Sequence, residues 1–569
     1  MKYIKTFEQH DDYVDYTESQ DYITPNLSYC IEENETHFEK LKDYSDKYFT
    51  IEALENGNVY FKYAQDTSTT EQRYTEYSKD GGATWNRTTN VDNEEITMTI
   101  PLLAGETVIL RGDNDTFYSA SESGVVKTDI MVNVSGNILS LICGDNFETA
   151  TILSPMAFYC FFLGIVDTCN IVNACNLVLP SSGLSDYCYN GMFAGCTSLT
   201  TAPKLPATTL AVGCYGGMFS GCTSLTTAPK LPATTLVTEC YTEMFFGCEA
   251  LTTVPELPAT TLADYCYNGM FSGCTSLTTA PELPATTLAE GCYSGMFAGC
   301  TSLTTAPELP ATTLVTECYT TMFSGCEALT TAPELPATTL AVGCYNELLY
   351  QCTSLTTAPE LPATTLAENC YANMFNGCTS LTDVPELPAT TLADYCYASM
   401  FNSCTSLTDA PELPATTLAI GCYDSMFAGC TSLTTAPELP VITLYDYCYS
   451  GMFLSCTSLT DAPELPSTTL ALGCYANMFN GCTSLTTAPE LPATTLVNNC
   501  YGLMFKGCSS LNYIKALFRT IPSTTYTNQW VYEVASTGTF VKSSVAAWNV
   551  TGVHGVPSGW TVQTISGNG

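Results

Sequence analysis

Apolar and polar positions along most of this chain follow one rule that repeats without insertion. The pattern C-Y-x-x-M-F-x-x-C begins at Cys188 and returns at Cys214, Cys240, Cys266 and onward to Cys500, every 26 residues, in 13 copies. One unit departs from it, with Leu348 and Leu349 in place of Met-Phe. Inside a unit, Leu210, Cys214, Met218 and Cys222 lie four residues apart with Phe219 beside them. That spacing predicts an apolar stripe on a short helix of about three turns. Thr209 stands where an N-cap would, Thr287 with Glu290 and Thr365 with Glu368 match a capping box, and Gly221 suits a left-handed helix end.

The rest of the unit, L-T-T-A-P-E-L-P, behaves differently. Its β-branched threonines and its two prolines, Pro203 and Pro206 in an early copy, exclude a helix interior and favour extended backbone. Each unit is therefore predicted to be a short extended segment followed by a short helix. Neither part can bury its apolar side alone, so neighbouring units must stack into a solenoid with one continuous core. Cys214, Met218, Phe219 and Cys222 define the predicted core ladder. Thirteen rungs at strand spacing would run on the order of 60 Å.

The order C-x-x-L-x-x-A, then L-P, then a segment ending in M-F-x-x-C resembles the BspA-like leucine-rich repeats of bacterial surface proteins, over residues 179–511. That family's unit is shorter. Here one residue is added between Ala202 and Leu205, and a proline sits where the family often continues its strand. The resemblance implies adhesion: a cell-surface or extracellular protein that binds protein or glycan ligands by multivalent contacts along the solenoid.

The flanks read as separate parts. Residues 1–46 are polar and acidic, and form a leader. Its run from Pro25 to Phe38 resembles leaders of virion-type phage proteins, which gives a second reading: a tail- or capsid-associated protein that recognises a host surface. Short alternating runs over 47–135 predict a small antiparallel, sandwich-like β-domain. Residues 136–178 look like an eroded repeat serving as an N-terminal cap, and 512–569 like a C-terminal cap with a short β-module. The expected class is mixed α+β, a leucine-rich-repeat solenoid of 26-residue units behind a β-domain.

Charge narrows the partners. Across 569 residues, 17 Lys+Arg face 56 Asp+Glu, a net −39, which argues against nucleic acid and anionic membranes as partners. No apolar run is long enough to span a bilayer, and the start MKYIKTFEQHDDYVDY lacks the apolar core of a secretory signal. Twenty-six of the 31 cysteines lie in the array. On a helix, two cysteines eight apart would sit about 12 Å from one another, out of disulfide reach, so free buried thiols are expected. The repeats contain neither C-x-x-C nor histidine, so zinc is not expected.

The Glu of P-E-L-P recurs at Glu256, Glu282, Glu308, Glu334, Glu360, Glu386, Glu412, Glu438, Glu464 and Glu490, with Lys204 and Lys230 in the first two units. Stacking lines these into a ridge. Such a ridge could attract Ca²⁺ or a basic partner, or could be a solvated face that keeps the array soluble, which is the simpler reading. No other cofactor is expected. Paired threonines such as Thr234 and Thr235 form a hydroxyl ladder, for which capping and strand propensity suffice although carbohydrate contact is conceivable. S-K-D-G-G-A-T-W, Ser78 to Trp85, resembles the Asp-box of sialidase-type propellers, but one box and four arginines argue for a plain hairpin turn. Arg111-Gly112-Asp113 spells the integrin tripeptide after a strand-like run. The three histidines, His10, His37 and His554, sit near no nucleophile motif, so no enzyme is predicted.

Overall fold

The computed structural model describes residues 47–63, 74–87, 96–113, 125–150, 152–164, 169–439 and 443–565. Alternating apolar and polar positions in the first part build two sheets. Strands β1 (Phe49–Ala53), β2 (Gly57–Tyr63), β3 (Thr75–Ser78), β4 (Asn86–Arg87), β5 (Ile96–Leu102), β6 (Thr107–Gly112), β7 (Val126–Thr128), β8 (Val132–Asn137) and β9 (Ile171–Val178) are arranged as β4-β3-β6-β1-β8-β9 and as β5-β2-β7. All pairs are antiparallel except β8–β9. Phe49, Ile51, Val108, Leu110 and Val134 of one sheet and Val59, Phe61 and Ile100 of the other belong to one buried cluster. Strand β8 runs through the boundary expected at 135/136. Because β9 lies parallel to β8 and Asn173 bridges Thr201, the sheet passes into the solenoid without a break.

The segment expected to be helical is not a helix. Among the described residues the one α-helix is α1 (Ser140–Cys143), followed by a 3-10 turn over Gly144–Thr149. The α part of the expected class therefore fails in the repeats. From Ala211 to Cys222 the backbone is instead a ribbon of overlapping turns. The amides of Cys214, Gly216, Met218, Ser220 and Cys222 donate to carbonyls three residues back, at 3.0–3.2 Å. Those of Tyr215, Gly217, Phe219 and Gly221 donate to Cys240, Thr242, Met244 and Phe246 of the next unit, at 2.7–3.1 Å. A helix would keep all these amides within its own unit. Here every second one ties a rung to its neighbour. Gly213, Gly217 and Gly221 have φ of +57°, +56° and +71°, so every fourth residue takes the left-handed conformation that the third position of a type II turn requires. Elsewhere that place is held by Glu239 and Glu243 or Asn369 and Asn373.

The other half of each unit is extended, as its prolines dictate. Pro281, Leu283 and Ala285 point inward while Glu282, Pro284 and Thr286 point out. Proline removes amide donors, so no continuous ladder forms here. Isolated parallel bridges flank the P-E-L-P stretch instead, such as Thr279↔Thr305 and Thr305↔Thr331 on one side and Thr235↔Thr261 and Thr261↔Thr287 on the other. Each of these four bridges joins residues 26 apart.

Between the two halves lies a core built of columns. Tyrosine rings stack without interruption from Tyr189 to Tyr501, with centroids 5.8–6.1 Å apart. Phenylalanines stack from Phe193 to Phe323 and from Phe375 to Phe505 at 5.5–5.8 Å, the gap falling at Leu349. The second thiol of a unit donates to a phenylalanine carbonyl one rung back, as Cys222 does to Phe193 at 3.2 Å, except at the interrupted rung, where Cys378 donates to Leu349 at 3.1 Å. The ring spacing exceeds the roughly 4.8 Å of a parallel ladder, while the Thr bridges hold the extended side at bonding distance. The turn side is tied at bonding distance as well, at 2.7–3.1 Å between the rungs of Cys214 and Cys240, so both faces of the coil are hydrogen-bonded rung to rung.

The ends are closed by variants of the same coil. Residues 153–164 form an imperfect turn ribbon, in which Phe158 donates to Cys188 and Phe162 to Met192 at 2.8 Å each. At the other end β10 (Tyr513–Ala516), β11 (Thr539–Ser543) and β12 (Thr561–Ile565) are parallel and follow on from the Thr487↔Tyr513 bridge. Of the stretch 512–569, expected as a cap with its own β-module, the described part, up to Ile565, carries the parallel pairing of the array onward. Trp530, Trp548 and Trp560 close its core, each indole N–H finding a backbone carbonyl at 2.7–3.1 Å.

The rungs are not interchangeable. Asp-Tyr in one unit is matched by glycine in the next: Tyr187 lies over Gly213, Tyr265 over Gly291, Tyr395 over Gly421 and Tyr447 over Gly473. A Cβ on any of these glycines would collide with the ring. The neighbouring aspartate fixes the same junction, Asp186 accepting from the Val212 amide at 3.1 Å and Asp394 from Ile420 at 2.9 Å. Gly213→Ala is expected to destabilise the protein by about 1–3 kcal/mol, from the left-handed φ and the ring contact together. Denaturant titration of G213A with and without Tyr187→Gly checks this, because equal losses in both backgrounds would show that the ring is not involved.

Candidate functional site

The solenoid offers one surface that repeats from rung to rung. On the extended face, Glu256, Glu282, Glu308, Glu334, Glu360, Glu386, Glu412, Glu438, Glu464 and Glu490 are all exposed, and Lys204 and Lys230 stand in the same register. Threonines flank them on both sides: Thr278 and Thr279 precede Glu282, and Thr286 and Thr287 follow it, all four exposed. Prolines and threonine bridges hold the backbone between. The face is thus a stiff lattice of carboxylates, hydroxyls and proline rings. Toward its C-terminal end Pro463, Glu464 and Pro466 with Pro489, Glu490 and Pro492 line a shallow groove of about 310 Å³. There Glu490 is held by Lys515 at 2.7 Å.

The core ladder residues Cys214, Met218, Phe219 and Cys222 are fully buried and face away from any ligand. All 30 described cysteines are free, and every one in the array is buried. Burial pushes the Cys214 thiol up to about 12, and Cys222 higher still. Protonated thiols in a dry column are poor nucleophiles and poor metal ligands. Among the described residues no group of three or more His, Cys, Asp or Glu side chains is placed to hold a metal ion.

The β-domain signals resolve into structural contacts. The Asp-box is a hairpin turn between β3 and β4, in which Asp80 accepts from Ser78 Oγ and Thr84 Oγ1 at 2.6 Å each and from the Thr84 amide at 2.8 Å. Those bonds, the Ser78 hydroxyl foremost, pull the Asp80 carboxyl down to about 2. Arg111 of the Arg-Gly-Asp run pairs with Glu76 at 2.9 Å and Asp145 at 2.6 Å and lies 4.0 Å over the Trp85 ring. An integrin-type contact needs that guanidinium free, and here it is committed. His554 accepts the Gln529 amide on Nδ1 at 3.0 Å. His10, His37 and the Pro25–Phe38 leader lie outside the described residues.

Sequence reasoning missed the Tyr–Gly junctions, although Asp-Tyr followed 26 residues later by x-Gly is legible as a pairing rule. It also missed the turn ribbon, whose signal is the glycine or asparagine at every fourth position.

A parallel coil of leucine-rich rungs, with an extended segment on one side and a turn ribbon on the other, defines a leucine-rich-repeat solenoid. The BspA-type leucine-rich repeat region matches residues 186–330, 269–408, 344–485 and 394–531, more than half of the chain, and the protein belongs to that family. It is accordingly a repeat-based binding protein. No curated protein matches the chain. Among solved structures it is similar to TLR13 in a complex with ssRNA13, at 13% identity over 65% of this chain and 50% of that one, with a TM-score of 0.20. This chain therefore spans about half the length of that one. Among the described residues no helix is long and apolar enough to cross a membrane.

Proposed function

We propose that the protein is a non-catalytic adhesin, displayed on a cell surface or extracellularly, whose extended face binds an extracellular protein or glycan by many weak contacts. The observation that carries this reading is the exposed Glu, Pro and Thr lattice recurring on rung after rung along the face. Repetition of one surface favours avidity over a single deep pocket. Membership of the BspA-type family supports surface display.

Two consequences are measurable. Binding of the purified protein to immobilised glycans and matrix proteins is expected to fall slightly for Glu308→Gln alone and much more for Glu282→Gln, Glu308→Gln, Glu334→Gln and Glu360→Gln combined. Complete loss from one substitution would point to a single pocket, and no loss from all four would move the binding site elsewhere. Calcium chelation is expected to leave the melting temperature unchanged, since the ridge places single carboxylates on successive rungs and not a cage. A downward shift on chelation would restore the ion-binding reading.

A further inference from the structure

Sheet edges are where proteins defend against unwanted pairing, with very short strands, charges, prolines or covering chain. The edges of the β-domain show these devices. Strand β4 has two residues, β7 has three with Lys127 among them, and β5 contains Pro101. At the far end of the described coil β12, Thr-Val-Gln-Thr-Ile, shows none of them among the described residues. It pairs with β11 on one side, all five residues are exposed, and it carries no charge. Val562 and Ile565 are 45% and 36% exposed, and Val545, in the turn that follows β11, is 57% exposed. Residues 534–569 contain no aspartate or glutamate in a chain with 56 of them.

The backbone of β12 is also self-complementary. The Thr561 amide donates inward to Gly538, and the Ile565 carbonyl accepts inward from Ser544. Peptide groups alternate sides along a strand, so Thr561, Gln563 and Ile565 face β11 and Val562 and Thr564 face outward. A two-fold axis through Gln563 would set Val562 opposite Thr564 of a second copy, and Thr564 opposite its Val562. Each of these is a hydrogen-bonded antiparallel pair that exchanges two bonds. All four outward groups are then satisfied.

We propose that two copies of this chain join tail to tail through antiparallel β12 pairing, making one sheet that runs through both solenoids. The acidic bodies point away from the junction, so the repulsion that opposes side-by-side packing at −39 per chain is small here. The contact is isologous, and it closes at two copies. Two arrays facing opposite ways would double the ligand lattice without adding a rung.

The test is light-scattering mass and small-angle scattering of the full chain over a concentration series, with hydrogen exchange at β12. The expected result is a mass rising toward two chains, a maximum dimension near twice that of one solenoid, and slow exchange at Val562 and Thr564. Thr564→Pro removes an outward donor and no bond to β11, and Val562→Lys adds charge to the edge. Both are expected to leave one chain in solution with unchanged circular dichroism. A monomer at every concentration overturns the proposal, as does a dimer that survives both substitutions. Slow exchange of the two amides in a monomer would also overturn it, because the chain would then cover its own edge.

Discussion

Raising the pH from 8 to 11 is expected to unfold the array over a narrow interval. Each rung buries two thiols and a phenol. Burial lifts Cys214, Cys266, Cys370 and Cys422 from an ordinary 9.0 to about 12, and others, such as Cys248, well above their ordinary value. Burial raises Tyr215 as well, and the Tyr189, Tyr215, Tyr241, Tyr345 and Tyr371 hydroxyls have no hydrogen-bond partner that could favour ionisation. Above pH 9 the unfolded chain releases protons that the folded chain keeps. Unfolding therefore becomes easier as pH rises, while below about pH 8 the contribution is complete. Two thiols with folded values near 12 cost about 3 kcal/mol per rung at pH 10, and the cost repeats along 13 rungs. Thiolate absorbance at 240 nm and phenolate absorbance at 295 nm should therefore appear together with loss of circular dichroism. Gradual ionisation of a still-folded protein would show that water reaches the columns.

Phe297→Ala should cost about 3–5 kcal/mol, the usual result of emptying a close-packed aromatic site. Phe297 is fully buried between Phe271 and Phe323, at 5.7 and 5.8 Å. In a one-dimensional array such a loss falls on one rung and its neighbours, so the fault should split a single denaturation transition into two. The natural fault at Leu349 shows that the backbone tolerates an interrupted column. Leu349→Phe, with Phe323 and Phe375 on either side, is expected to gain about 0.5–1.5 kcal/mol, the value of an aromatic pair beyond its burial. A loss of stability in L349F would mean that the rung has repacked around leucine. A single unshifted transition in F297A would refute the picture of coupled columns.

Much of this architecture was legible from spacing. The 26-residue period, the buried Cys, Met and Phe positions and the extended P-E-L-P segment follow from the pattern of apolar residues and prolines alone. The helix was misread because a strict step of four at Leu210, Cys214, Met218 and Cys222 resembles a helical stripe over a few turns. What distinguishes the two is glycine at Gly213, Gly217 and Gly221, which a helix interior disfavours and a type II turn requires. The C-terminal coils escaped detection because Trp530 does there what phenylalanine does in the array, while β10 and β11 keep the 26-residue step without the cysteines. The exposed Glu and Thr lattice was visible as a set of recurring positions.

The Tyr–Gly junctions bear on how such an array can be inherited. Near-identical 78-base segments invite unequal recombination, which adds or removes whole units while keeping the reading frame. Losing the unit that holds Gly213 would bring Glu239 beneath the Tyr187 ring and leave a faulty seam. Losing the unit that holds Glu239 would leave Tyr187 over Gly213 and Tyr265 over Gly291, and the coil would close cleanly. Copy number is therefore free to drift at some joints and locked at four others, where two units must be passed on as a pair.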